Sequence, residues 1–355
     1  MRKHFFYSAI LGLSTLLIGC STTKQIVLHT TEPSPVVLSD QIKKIGIIAN
    51  AEVTTGMEGE TVGIDRLVVA QEKWLTEKGK DAAIAGLFDE LLKDDRFEAV
   101  KMLEQESGEI SDFGSDPNGI SWSIVESLCT AHNVDAVFAM AFYETDTKVS
   151  VKKTEMLGRN LMRDQVKVKA QQITLETLIE NGWRIYYPKN RQVIDEIVFN
   201  DQITSTGKGT DAVAAYQAIG DRKEALLQQS RTSGTQYGQR LLPFKNSVSR
   251  EYYVKGTENF ELAHELAVLE DWEGAGKLWE LEIEHPDAKI RRRSCHNLAV
   301  LNERNENLEE ALSWASKAYE NDNNEEDLAY IDLLNKRIEN NDLLKSQMAY
   351  LQFED

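Results

Sequence analysis

Lys44-Ile45-Gly46-Ile47-Ile48-Ala49 is a short, mostly β-branched run with no charge after its first position, the pattern of a strand covered on both faces. Asp135-Ala136-Val137-Phe138-Ala139-Met140 has the same character. Between them, Ala83, Ile84, Leu87, Leu91 and Leu92 recur three or four apart within Lys73 to Asp94, which places them on one helical face. Phe97 to Leu103 reads as a returning strand, and Ser121 caps a second helical pattern that runs through Cys129. The resulting order is βαβαβ, which calls for helices packed on a sheet. Thr54 to Gly63 is polar and contains glycine, and reads as a loop.

Working outward, Lys148 to Lys153, Gln165 to Ala170, Gly182 to Pro188 and Gln192 to Ile203 alternate or carry β-branched and aromatic residues, as antiparallel strands do. Helical patterns follow at Asp211 to Ile219 and Arg222 to Leu242, and Ser247 to Val254 closes the series as a last strand. This first domain is expected over residues 41–255.

From Thr257 the pattern is helical and repeats. Ala263 and Ala299 lie thirty-six residues apart, as do Ala275 and Ala311, and each pair brackets a turn: Glu270-Asp271-Trp272 in one copy, Asn305-Glu306-Asn307 in the other. Small residues at these points let paired helices approach closely. Asn297-Leu298-Ala299 and Glu309-Glu310-Ala311-Leu312-Ser313-Trp314-Ala315 resemble tetratricopeptide repeats, with Leu328, Ile331, Leu334 and Ile338 supplying a capping helix. The fold class expected is therefore α+β: an N-terminal mixed α/β sheet domain, then an all-α tetratricopeptide-like domain over residues 256–355.

At the start, Arg2-Lys3 precedes an apolar run of fourteen residues from Phe5 to Ile18, the layout of a secretory signal and short of the roughly 20 residues needed to span a bilayer. Leu17-Ile18-Gly19-Cys20 resembles the bacterial lipobox, which implies a signal peptide over residues 1–19 and lipid on Cys20. Residues 20–40, polar with Pro33 and Pro35, are then expected to form an extended tether. Ser21 and the absence of an acidic cluster after Cys20 imply, by resemblance to known sorting signals, an outer-membrane address facing the periplasm. With the Gly182-Trp183-Arg184-Ile185-Tyr186 segment and the helical C-terminus, the whole resembles an uncharacterised family of Bacteroidota lipoproteins. A more distant resemblance is to envelope lipoproteins of the curli-secretion and TolB N-terminal type.

The 355 residues carry 40 basic and 58 acidic side chains, and loss of Arg2 and Lys3 with the leader leaves a net charge of −20. Nucleic acid is a poor partner for such a chain. Cys129 and Cys295 read as buried free thiols in separate domains. No His-Glu-x-x-His or Gly-x-Ser-x-Gly occurs, and Thr206-Gly207-Lys208-Gly209-Thr210 lacks the phosphate-loop spacing and reads as a flexible turn. Neither an enzyme nor a cofactor is expected. The contact surfaces expected are a basic strand face carrying Lys148, Lys152, Lys167 and Lys169, opposite valines, and the C-terminal helices, beside which Ile290-Arg291-Arg292-Arg293 forms a basic, solvated patch. Together these suggest a membrane-anchored, non-enzymatic adaptor that binds a protein partner through those helices. The alternatives are a subunit of an oligomeric outer-membrane secretion or pore assembly, and a periplasmic hydrolase.

Overall fold

The computed structural model describes residues 22–48, 52–59, 65–103, 120–159, 162 and 164–352. Cys20 and the rest of the leader lie outside them. Along the chain come β1 (Thr23–Glu32), β2 (Lys44–Ile48), β3 (Glu52–Gly59), α1 (Asp65–Leu91), β4 (Ala99–Leu103), α2 (Trp122–His132), β5 (Ala136–Arg159), β6 (Gln165–Tyr187) and β7 (Gln192–Gly209). Then follow α3 (Ala212–Gln217), α4 (Arg222–Gln239), β8 (Phe244–Tyr253), α5 (Glu258–Val268), α6 (Trp272–Glu280), α7 (Ala288–Arg304), α8 (Leu308–Asp322) and α9 (Glu325–Gln352). A mixed-sheet region followed by helices is the expected α+β class. The chain divides into two compact units, one of residues Pro33–Phe244 with Gln347–Asp355, the other of Met1–Glu32 with Lys245–Ser346.

The first of these is the sheet unit. Its six strands run in the order β4-β2-β5-β6-β7, with β3 also on β5. The βαβαβ portion is parallel, β2 lying between β4 and β5, β3 is parallel to β5, and the β5-β6-β7 portion is antiparallel. Ile45, Ile47, Ala136 and Phe138 are buried with Leu75, Leu87 and Leu91 of α1, as their apolar patterning requires. Two readings change. The stretch expected as a loop, Thr54 to Gly63, holds most of β3, which pairs in parallel with Phe142–Val149 of β5; its sequence, Glu-Val-Thr-Thr-Gly-Met-Glu-Gly, has little apolar content to betray a strand. The expected short strands after Asp135 are instead three long ones, of 24, 23 and 18 residues.

Glycines mark where helices touch backbone. A Cβ on Gly234 of α4 would stand 1.8 Å from the carbonyl oxygen of Ala83 in α1. Thr206 to Gly209 ends β7 rather than forming a flexible turn: a Cβ on Gly207 would meet the Ala215 carbonyl at 2.1 Å, so these glycines admit α3 onto the strand.

The second is the helical unit, and it includes strands. Thr23–Glu32, within the expected tether, is β1, and it forms a two-stranded sheet with β8. Ile26 and Leu28 alternate inward like any half-buried strand, but the partner lies more than two hundred residues away, beyond the reach of local pattern. Thr23 Oγ1 donates to Glu251 at 2.9 Å and His29 meets Ser247 at 3.1 Å, so the two strands run in opposite directions. The 36-residue repeat is present in detail. Ala263, Ala299, Ala275 and Ala311 are all fully buried, and Glu270 and Glu306, one repeat apart, both take the left-handed conformation at φ 64° and 62°. Asp271 and Asn307 then sit at the N-caps of α6 and α8.

Candidate functional site: a cleft in the helical unit

A cleft of about 500 Å³ opens in the helical unit, lined by residues of β1, β8, α7 and α9. Its walls are aromatic. The ring of His296 lies 5.2 Å from that of Tyr253 and 5.3 Å from that of Tyr330. The repeat packing of α7 sets His296 toward β8, where Asn297, one residue on, exchanges hydrogen bonds of 2.7 Å with both the N–H and the carbonyl of Tyr253.

Two buried carboxylates hold these walls. Asp327 accepts from Arg292 Nη1 at 3.0 Å and from His296 Nδ1 at 2.9 Å, while Arg292 Nη2 donates to the Tyr253 hydroxyl at 3.0 Å. His296 Nε2 reaches the Glu251 carbonyl at 3.1 Å. Both partners of the imidazole, a carboxylate and a carbonyl, can only accept. Glu303, whose side chain is 0% exposed, accepts from Arg250 at 2.8 Å through both oxygens, from Arg337 at 2.5 Å and from the Tyr330 hydroxyl at 2.7 Å.

Burial alone would raise both carboxyls. At Glu303 the bonds from Arg250, Tyr330 and Arg337 outweigh it, and at Asp327 those from His296 and Arg292 do, so both are held below the ordinary carboxylate range. The Tyr330 hydroxyl is pushed well up by burial and by the Glu303 charge, and burial raises that of Tyr253 too. Both phenols therefore stay protonated at neutral pH and serve as donors rather than bases. At the lip, Glu251 and Glu326 form no ion pair among the described residues; Glu251 accepts from Thr23, and Glu326 from the Tyr253 hydroxyl at 3.4 Å. Arg250 lies over the Tyr330 ring and Arg292 and Arg293 over that of Tyr253, so it is the lip carboxylates, outside any ion pair among the described residues, that suit a cationic side chain.

Apart from Arg292, none of these residues stood out in the sequence. The three arginines read as a solvated patch are otherwise engaged: Arg292 is buried, Arg291 bonds the carbonyls of His285 and Pro286, and Arg293 bonds that of Lys255 and lies over the Tyr253 ring. The acceptors of Arg292, Tyr253 and Asp327, come from β8 and α9, and Arg291 and Arg293 bond backbone carbonyls, so residue type and spacing gave no sign of them.

The expected lysine face is also rearranged. Antiparallel register pairs Lys148 with Glu176, Lys152 with Gln172, Glu155 with Lys169 and Leu157 with Lys167. Directly paired residues share a face, so Lys148 and Lys152 lie with Val166 and Val168, and Lys167 and Lys169 lie on the opposite face with Val149 and Val151. The number of residues between Arg159 and Gln165 fixes this parity; one residue more or fewer would unite the four on one side. All four are exposed, and Lys167 pairs with Glu155 at 3.6 Å. Gly182 to Tyr186 is core strand, with Trp183 fully buried and stacked on Tyr237 at 5.1 Å. Cys129 and Cys295 are free and buried, one in each unit.

The family model for the domain of unknown function DUF8603 matches residues 42–253. The chain belongs to that family. The DUF8603 match spans the whole six-stranded sheet and ends with β8, and a second domain of unknown function, DUF6340, matches residues 261–352, the helical repeats and α9. No curated protein matches the chain. Among solved structures, it is similar at 10% identity and TM-score 0.29 to a protein described as a neuraminyllactose-binding hemagglutinin homolog from Helicobacter pylori, over 66% of this chain and 92% of that one. It is similar at 10% identity and TM-score 0.24 to the PelC dodecamer from Paraburkholderia phytofirmans, over 62% and 98%. No helix among the described residues is long and apolar enough to cross a membrane.

Proposed function

We infer that this chain is a lipid-anchored envelope protein of the Bacteroidota, non-enzymatic, which works as an adaptor at the periplasmic side of the outer membrane. On this reading lipid on Cys20 supplies the anchor and the helical unit supplies the docking surface. The observation that carries the docking role is the cleft. Its tyrosines are protonated donors, its buried charges are tied to one another, and its lip presents Glu251 and Glu326. Such a site favours the lysine or arginine of a partner segment that meets Glu251 and Glu326 at the lip. The lipid role rests on Leu17-Ile18-Gly19-Cys20.

A photo-crosslinking residue in place of Leu333, at the cleft, should capture a specific partner in intact envelopes. Glu251→Lys with Glu326→Lys should reduce that capture at least about tenfold, the scale of one lost charged contact at an interface. Equal capture by the double variant would overturn the docking role. Cys20→Ser should release the protein from membranes and end labelling by a radioactive fatty acid, and persistent labelling would overturn the anchor.

A further inference from the structure

We propose that the distal end of the β5–β6 hairpin is a second membrane contact, entering an anionic lipid surface end-on. Its chemistry is independent of lipid on Cys20 and of the cleft. The register of β3 ends at Val149 of β5, and that of β7 ends at Gln171 of β6. Beyond those points Ser150 to Arg159 pairs with Gln165 to Thr174. The end of the arm, from Thr154 on β5 and up to Ala170 on β6, is thus a two-stranded ribbon, a form that is marginally stable alone in water.

Its composition points to what covers it. Leu157 is 65% exposed and Met162 84% exposed, with Met156, Val166 and Val168 half-buried beside them. Around this apolar end stand Lys152, Lys153, Arg159, Lys167 and Lys169, against two acids, Glu155 and Asp164, within a chain whose formal charge is −18. The register distributes these cations over both faces of the ribbon. A protein edge or a membrane met side-on would use one face. Cations on both faces behind an apolar end suit a ribbon that enters lipid tip first, its leucine and methionine at the acyl boundary and its lysines spread among headgroups.

The test uses the full chain with Cys20→Ser, so that acylation adds nothing. Vesicles of phosphatidylcholine alone are compared with vesicles in which about one lipid in three is phosphatidylglycerol. Cosedimentation is expected on the anionic vesicles and should weaken with added salt. Lys153→Glu, Lys167→Glu and Lys169→Glu together should weaken it about a hundredfold or more, on the scale of roughly fivefold for each juxtamembrane cation lost. Leu157→Ser with Met162→Ser should weaken it about tenfold at unchanged charge. These side chains are exposed, and an unaltered thermal melt will confirm that the variants fold. A dye on Leu157→Cys should shift to the blue on anionic vesicles only. Failure of the parent chain to bind anionic vesicles, or binding that both sets of variants retain, overturns the proposal. Crosslinking of the arm to an acidic protein in envelopes, with no vesicle binding, would replace the lipid by that protein.

Discussion

Each unit buries an arginine–glutamate contact, and the company each keeps is different. In the sheet unit Glu72 and Arg222 pair one to one at 2.5 Å, with side chains 3% and 4% exposed, and Arg222 also donates to Thr147 and Thr177 at 3.1 Å. In the helical unit Glu303 is a hub that serves Arg250, Arg337 and Tyr330 together, one wall of it bordering the cleft. A closed pair can be removed as a pair, whereas a hub cannot be removed without stranding several donors. The sheet unit's charges thus lie inside its scaffold, and the helical unit's are the frame of a site.

The largest effect should come from the hub. Glu303→Leu leaves two guanidinium groups and a phenol without their acceptor and should destabilise the helical unit by about 3–5 kcal/mol, read by chemical unfolding. Glu72→Leu alone should cost a similar amount, but Glu72→Leu with Arg222→Leu should return most of it, since a buried pair replaced by apolar residues is often neutral. If the double variant stays as unstable as the single one, the contrast between closed pair and hub is wrong. Next in size is Gly234→Ala, whose methyl would run into the Ala83 carbonyl, for a loss of about 1–3 kcal/mol confined to the sheet unit.

The pH dependence follows from the two depressed carboxyls. The stability they contribute is present above their ordinary values of 4.5 and 3.8 and is lost as the pH falls from there through their lower folded values. Amide exchange in α7 should therefore accelerate in acid below about pH 4. Glu303→Gln should flatten that profile. The smallest effect concerns the thiols: burial pushes Cys129 and Cys295 up to about 11, so in the native protein both should react with a thiol reagent at neutral pH far more slowly than an exposed cysteine. Equal rates would show that one unit opens readily.

The parts legible in the sequence were those whose partners are near in the chain or whose chemistry is uniform. The apolar runs at Ile45 and Val137 announce strands without knowledge of any neighbour, and the alanines thirty-six residues apart announce helix pairs. β3 was hidden because its strand character comes from β5, and β1 because its partner is β8. The lysine faces were misassigned since parity depends on the number of residues between Arg159 and Gln165, which strand patterning does not encode. The cleft was illegible for a related reason. His296, Asp327 and Arg292 look like ordinary charged helix positions until β8 and α9 are brought against α7.

The pairing of β1 with β8 has a consequence for how the chain acquires its structure. The helical unit is interrupted by residues Pro33–Phe244 of the sheet unit, so its first strand must wait for a partner synthesised more than two hundred residues later, a contact of very high sequence separation. Within the sheet unit, however, the Val36 N–H bonds the Arg240 carbonyl at 3.1 Å, which holds the beginning and end of that unit together. Once Val36 has met Arg240, most of the long loop between β1 and β8 is already closed, and their pairing has less further entropy to lose. Folding is thereby ordered: mutations that slow the sheet unit, such as Gly234→Ala, should delay the burial of Trp279 in the helical unit, although no side chain there has been changed.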